Sequence, residues 1–350
     1  MPYCRKCGTK LDADARFCQK CGIPVWTYTP PPPPRALRKD PVAAIAIAVI
    51  AILIVSVVVT VVAFAPISPV NFNETNQDSH SGINTLNLNF QANNAQVNIL
   101  TENVTDKNIV IWVYATGSRG IFSSDKSVDV TFSNETSNDV LTVNSTVTQM
   151  AMSNFKVTCN IYVNPALNLN LNITSETGQI SLTADSAAKL QSVSLAATTG
   201  EVQANIQNNV TVLGNITLRT QTGNIFYRMD QANTVGNQTV ELQCSTGSIS
   251  ADIIQTKVFA GNLQVNTQTN TGSINVGLQI DGYVGARIVS QTNLGTVILQ
   301  NVENFSGDKS PIQSNNYPST CNIDINNHTN IGGINISAAY LGSNGPVIRN

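Results

Sequence analysis

Two cysteine pairs, Cys4/Cys7 and Cys18/Cys21, stand in a C-x2-C-x10-C-x2-C pattern, each followed at once by a glycine, Gly8 and Gly22. Two thiolates so spaced reach one ion from a single tight turn, and the glycine lets the backbone bend so that amide N–H groups face sulfur. Two such turns complete a tetrahedral four-sulfur site with no open position, which makes its chemistry structural and not catalytic. Zn2+ is the favoured ion; the ligands also permit iron, and two disulfides are a third alternative that a reducing cytoplasm disfavours. A segment of about 25 residues buries too little apolar surface to fold unaided, so the metal must supply the folding energy.

The rest of the chain is poor in reactive groups. Only 11% of its 350 residues are charged, and His80 and His328 are its two histidines, in separate Asn-rich stretches. A Ser-His-Asp arrangement would need one of them, and no catalytic residue is assigned. A glycosidase or lyase would need carboxylates converging on one face. Asp185 and Asp230 are seven residues past their repeat glycines with Gln207 at the intervening position, and Asp252 is out of phase with Asp230. These acids read as scattered and solvated. No EF-hand loop or calcium-binding repeat is present.

The charges divide unevenly along the chain. Residues 1–41 hold 8 Lys+Arg and 3 Asp+Glu (+5), and the remainder holds 11 and 18 (-7), which sum to the net charge of -2. The boundary is a run from Val42 to Ala65, 24 residues without a charge. As a helix it would measure roughly 36 Å, enough to cross a hydrocarbon core of about 30 Å. Ala63-Phe64-Ala65 has the look of a signal-peptide cleavage site, but the run is too long for a signal h-region and Pro66 would hinder cleavage. The expectation is one retained transmembrane helix. Arg35, Arg38 and Lys39 precede it, which places the N-terminus in the cytoplasm and the C-terminal region outside. Asn-x-Ser/Thr sequons at Asn73, Asn103, Asn134, Asn144, Asn172, Asn209, Asn215, Asn237, Asn304, Asn327 and Asn335 all fall on the distal side, as candidate glycosylation sites. Pro30 to Pro34 sit in a linker, residues 27–41, that spaces residues 1–26 from the membrane.

Beyond a polar stalk at 66–84, apolar residues occupy every second position, as in Leu86/Leu88/Phe90 and Val157/Cys159/Ile161/Val163, the pattern of strands with one buried face. From residue 166 to 345 a longer period appears. The units SETGQISL, ATTGEVQA, TQTGNIFY, CSTGSISA, TNTGSINV, TNLGTVIL and TNIGGINI place glycines at 178, 200, 223, 247, 272, 295 and 333, with steps of 22, 23, 24, 25, 23 and 38. A turn of about 23 residues holds two or three short strands and their corners, with the glycine at one corner and the preceding threonine hydrogen-bonding locally and stacking on its neighbour in the next turn. Residues 85–165 alternate without clean T-G corners, as an irregular region or a cap with further coils. The expected fold is an all-β ectodomain, a β-solenoid or β-helix-like repeat, joined to an N-terminal zinc ribbon by one transmembrane helix. Cys159, Cys244 and Cys321 fall on the apolar phase and read as small core residues.

The stretch YCRKCGTKLDADARFCQKCGIPV resembles the short zinc-ribbon domains at the N-termini of many prokaryotic, especially archaeal, membrane proteins. The T-G-x-[IV] units resemble the adhesin families of repetitive β-strand surface proteins, a likeness that spans about residues 85–345. It implies a non-enzymatic role at the cell envelope, with an extracellular polymer or surface protein as partner. A second expectation is a transmembrane sensor or scaffold that recruits a cytosolic protein through the ribbon; nucleic acid is disfavoured, since four thiolates around Zn2+ offset much of the local Lys and Arg charge.

Overall fold

The computed structural model describes residues 3–25, 49–57, 68–119, 128–150 and 153–342. The chain divides into two compact units, Met1–Val59 and Thr60–Asn350. In the first unit, residues 3–25 form two hairpin-like turns, and residues 49–57 are helical with exposed side chains. Those nine residues are the described part of the 42–65 apolar run; the rest of it lies outside the described residues. Among the described residues no helix is long and apolar enough to cross a membrane.

The second unit is all-β. Its strands form one 11-stranded and one 14-stranded sheet. Each repeat contributes a strand before its glycine to the larger sheet and a strand after it to the smaller one, as Ile216–Thr222 and Ile225–Asp230 do around Gly223. Neighbouring repeats pair in parallel and in register. Period-2 alternation therefore turns into columns: Leu171, Val193, Ile216, Val240, Val265 and Ile325 lie side by side in the larger sheet, all buried. Cys159, Val97, Ile180, Val202, Ile225 and Ile249 do the same in the smaller one. Each buried aliphatic side chain in such a column stabilises the unit by about 1.5–3 kcal/mol relative to exposure. Volume is balanced between turns: Tyr227 sits between Ala204 and Ala251 in register, which leaves space for its ring.

The spatial order of turns departs from chain order at both ends. Cys321–Ile331 lies between Asn262–Thr271 and Val284–Leu294, so the last repeat slots inside the one that precedes it in sequence. Thr85–Asn94 lies between Val140–Gln149 and Asn168–Thr177, so residues 85–101 and 140–163 are two further turns of the same stack and not irregular structure. Antiparallel strands close these ends. Val128–Ser137 pairs with Val140–Gln149, and Ile109–Arg119 pairs with Ser153–Val163. Ser68–Asp78 then pairs along Ile109–Arg119, so the segment expected as a polar stalk at 66–84 holds an edge strand over 68–78, with Phe72 packed against the core. At the opposite end the hairpin strands Phe305–Ser306 and Ile312–Ser314 cover Val284–Leu294. Val297–Glu303 ends the smaller sheet with a bulge between Leu299 and Val302, a device that twists an open edge away from further pairing.

Candidate functional site

The two halves of residues 3–25 are built alike. In the first, the Gly8 N–H donates to the Cys4 carbonyl at 2.9 Å and the Cys4 N–H to the Thr9 carbonyl at 2.8 Å; in the second, Gly22 donates to Cys18 at 2.8 Å and Cys18 to Ile23 at 2.9 Å. Gly8 and Gly22 have φ of +65° and +68°, the left-handed conformation these turns require. The turns bring the sulfurs of Cys4, Cys7, Cys18 and Cys21 to within 4.8 Å of one another, with Cys4–Cys21 and Cys7–Cys18 both at 3.5 Å. A tetrahedral Zn2+ with bonds of about 2.3 Å needs sulfurs roughly 3.8 Å apart, so the donor set fits. None of the four is in a disulfide.

The opposed protonation tendencies of Cys7 and Cys21 favour a cation. Hydrogen bonding with the Thr9 hydroxyl and backbone N–H lowers Cys7 to about 6. Cys21 moves the other way: the Ile23 N–H pulls it down, but its neighbours Cys4 and Cys7 push it up to about 12. Adjacent sulfurs cannot all lose their protons without opposing charge, and a divalent ion supplies it. Leu11 is buried beside Cys4 and Cys18, with Ala15 and Val25 packed against them, a core too small to stand without the ion.

In the all-β unit the repeated feature is the glycine corner. Gly223 has φ of +143°, and a Cβ there would collide with the carbonyl oxygen of Gly200 in the adjacent turn; the same collision recurs from Gly178 to Gly272. The seventh corner is Gly332, whose carbonyl meets Gly295 and which itself lies on Gly272. Gly333 therefore is not the repeat glycine, as the sequence reading had it. It occupies the next position, since Ile334 pairs with Ile274, two residues past Gly272. The threonines just before the glycines do stack, Thr199 on Thr222 and Thr222 on Thr246, on the exposed side.

The corner hydrogen bond comes from the residue three before the glycine. Thr220 donates to the Gly200 carbonyl at 3.0 Å, Thr269 to Gly247 at 3.2 Å, Thr329 to Gly272 at 3.1 Å and Thr292 to Gly332 at 3.0 Å. Cys244 fills the same slot, its thiol 3.1 Å from the Gly223 carbonyl. The recurrence of Thr, Ser, Cys or Ala three before each glycine was the available signal. Burial raises Cys159 to about 12 and also raises Cys244 and Cys321, and all three are free thiols in the core.

Asp185 lies apart, beside Thr101, whereas Asp230 and Asp252 come together. Asp230 and Asp252 both face Arg228, at 3.8 and 3.9 Å, as a half-exposed surface ion group. The histidines are no closer to a nucleophile: His80 Nδ1 lies 2.5 Å from Asp78, and His328 Nε2 lies 3.2 Å from Asn330. Asp78 is itself buried. Burial alone would raise it, but donors from Asn108, the backbone and ring of His80, and Asn134 hold the carboxyl below its usual range.

Outward asparagines form amide ladders, such as Asn172 to Asn89 at 3.3 Å and Asn335 to Asn275 at 2.8 Å. Several sequon amides are held by hydrogen bonds: Asn134 donates to Asp78 and Asn304 to the Tyr340 carbonyl. Asn215 and Asn237 accept backbone N–H groups of the next turn, Asn73 accepts from Trp112, and Asn144 accepts from Asn89. Asn103 is exposed in a loop and Asn209 in a turn. Asn327 is only 3% exposed, donating inside the stack to Ser290 and accepting from Thr267; it faces the interior, and its candidacy for glycosylation is withdrawn.

Residues 3–25 match the zinc-ribbon domain family. No curated protein matches the chain. Among solved structures, a candidate cell adhesion protein from Clostridium sporogenes is similar at 14% identity and a TM-score of 0.36, over 77% of this chain and 100% of that one. A candidate adhesin from Parabacteroides distasonis aligns at 12% identity and a TM-score of 0.32, over 77% and 97%. One from Bacteroides fragilis aligns at 12% and 0.26, with the same coverage. Similarity of this degree transfers no site residue.

Proposed function

We propose that this chain is a single-pass membrane protein that displays a stiff β-solenoid outside the cell for attachment or structural support, with a small zinc-stabilised module in the cytoplasm. The observation that carries the reading is the glycine column. Backbone stacked so closely at successive glycine corners, over a largely aliphatic core, gives a rigid body whose polar positions lie mostly on its outer faces. That body offers surfaces and ladders, and among the described residues no nucleophile, base and acid converge, which favours binding over catalysis. Membrane insertion rests on the 42–65 run and sidedness on Arg35, Arg38 and Lys39. Cys4, Cys7, Cys18 and Cys21 hold the Zn2+, and the ribbon's outer surface is left for a cytosolic protein.

Alkaline carbonate extraction of cell membranes tests the anchoring. The full chain is expected to stay with the membrane pellet, and a chain lacking residues 42–65 to leave it; release of the full chain would refute the anchor. Deleting residues 1–26 separates attachment from sensing. Attachment that persists supports the display role, whereas loss of a cytosolic response alone would favour the sensor.

A further inference from the structure

One outer face of the smaller sheet carries groups that the glycine stack does not need. Strand pairing sets Trp112, Asn160, Asn98, Ser181, Gln203 and Phe226 side by side, one from each of six adjacent strands. All six point away from the core, since they alternate with buried Ile111, Ile161, Val97, Ile180, Val202 and Ile225. At about 4.8 Å per strand the row runs roughly 24 Å from one aromatic ring to the other. Trp112 and Phe226 are 40% and 39% exposed, so each ring presents part of its surface at the outer face.

The row is also held in place. The Trp112 Nε1–H donates to Asn73 at 2.5 Å, and its ring lies 5.7 Å from that of Tyr114. Asn98 Nδ2–H donates to Asn160 Oδ1 at 2.9 Å, which ties the two side-chain amides together. Two shallow cavities follow one another along the row: one of 370 Å³ lined by Asn98, Asn160 and Tyr162, and one of 480 Å³ lined by Gln203, Asn205 and Phe226 and also by the charged Glu201, Arg228 and Asp252, of which Glu201 accepts from Gln179 at 2.8 Å. The held Trp112 ring and the paired Asn98 and Asn160 amides need little reordering to receive a ligand.

The chemistry narrows the ligand. The six residues carry no charge, and Arg228 beside Phe226 is occupied by Asp230 and Asp252, so a polyanion such as nucleic acid finds no free cation here. A protein helix would need a continuous apolar strip, whereas four polar side chains separate the rings. Aromatic platforms at the ends with amides and a hydroxyl between them suit a ligand with apolar ring faces and hydroxyl edges at short, regular spacing. We propose that this face binds an uncharged linear glycan laid across the strands, with Trp112 and Phe226 as its stacking ends. The proposal deepens the display role above and depends on it for its biological setting.

The test uses the full chain in detergent with Trp26→Phe, which leaves Trp112 as its one tryptophan, titrated with linear hexasaccharides of glucose, mannose, galactose and N-acetylglucosamine. At least one is expected to shift Trp112 emission saturably. Phe226→Ala should weaken it about tenfold or more. Gln203→Arg, which removes no aromatic and lies on the outer face, should weaken it comparably without changing the melting temperature. No response to any of the four sugars, equal affinity in both variants, or preference for a galacturonate hexasaccharide would overturn the proposal. Cells carrying both substitutions that attach as well as wild type would also overturn it while leaving the display role standing. Release of the full chain in the carbonate extraction would instead remove the display role.

Discussion

The ribbon and the strand stack solve the same problem in opposite ways. Both turn the chain sharply at glycines, but Gly8 and Gly22 shape turns whose contents are four sulfurs and one buried leucine, while Gly223 and its equivalents let backbones stack over a long aliphatic core. In the first the fold depends on an ion; in the second it depends on repetition. A short segment lacks the area to fold by burial. A stack adds the same interface with every turn and needs no external cross-link.

Removing the ion should separate the two regions most sharply. Chelation, or Cys18→Ser, is expected to unfold residues 3–25 completely, since metal binding supplies about 10–16 kcal/mol in such modules. The melting transition of the stack should not move; two-dimensional NMR of the ribbon alongside circular dichroism of the sheet would show both. Gly223→Ala is the corresponding break in the stack. A methyl against the Gly200 carbonyl should cost about 4 kcal/mol or more, or prevent folding, and leave zinc content unchanged.

Acid sharpens the comparison at the stack's edge. Asp78 has a depressed pKa in the folded chain, so its contribution is present above the unfolded value of about 3.9 and is lost as the pH falls below it. The edge strand Ser68–Asp78 should lose hydrogen-exchange protection there before the central turns do, and Asp78→Asn should abolish that pH step. Tyr227→Phe tests the core: the hydroxyl is buried without a partner, and its removal should raise stability by about 1 kcal/mol, read from denaturant midpoints. Smallest is Cys244→Val, which removes the bond to the Gly223 carbonyl and should lower stability by about 0.5–1 kcal/mol, with Cys244→Thr restoring it.

What the sequence made legible follows from locality. Cysteine spacing sets the metal turns because both partners of each knuckle lie within three residues. Strand alternation and the glycine period are legible for the same reason, and Cys159 was readable as core because its neighbours share its phase. The order of turns was not, because it is set by which edges pair at the ends: nothing within Cys321–Ile331 says that it will slot inside Val284–Leu294. Gly332 and Gly333 differ only in which one meets the neighbouring carbonyl, and Asn327 looks like any other sequon until its strand phase turns it inward. The row from Trp112 to Phe226 was hidden most deeply, since it joins residues from 98 to 226 through five strand pairings.

The most direct measurement of the account is sidedness in intact cells. Asn103→Cys places a thiol in an exposed loop of the all-β unit, while the natural thiols of that unit are buried. A membrane-impermeant maleimide should label this variant on intact cells and leave the wild-type chain unlabelled until the membrane is opened and the zinc removed. Labelling of Asn103→Cys only after permeabilisation would contradict the account.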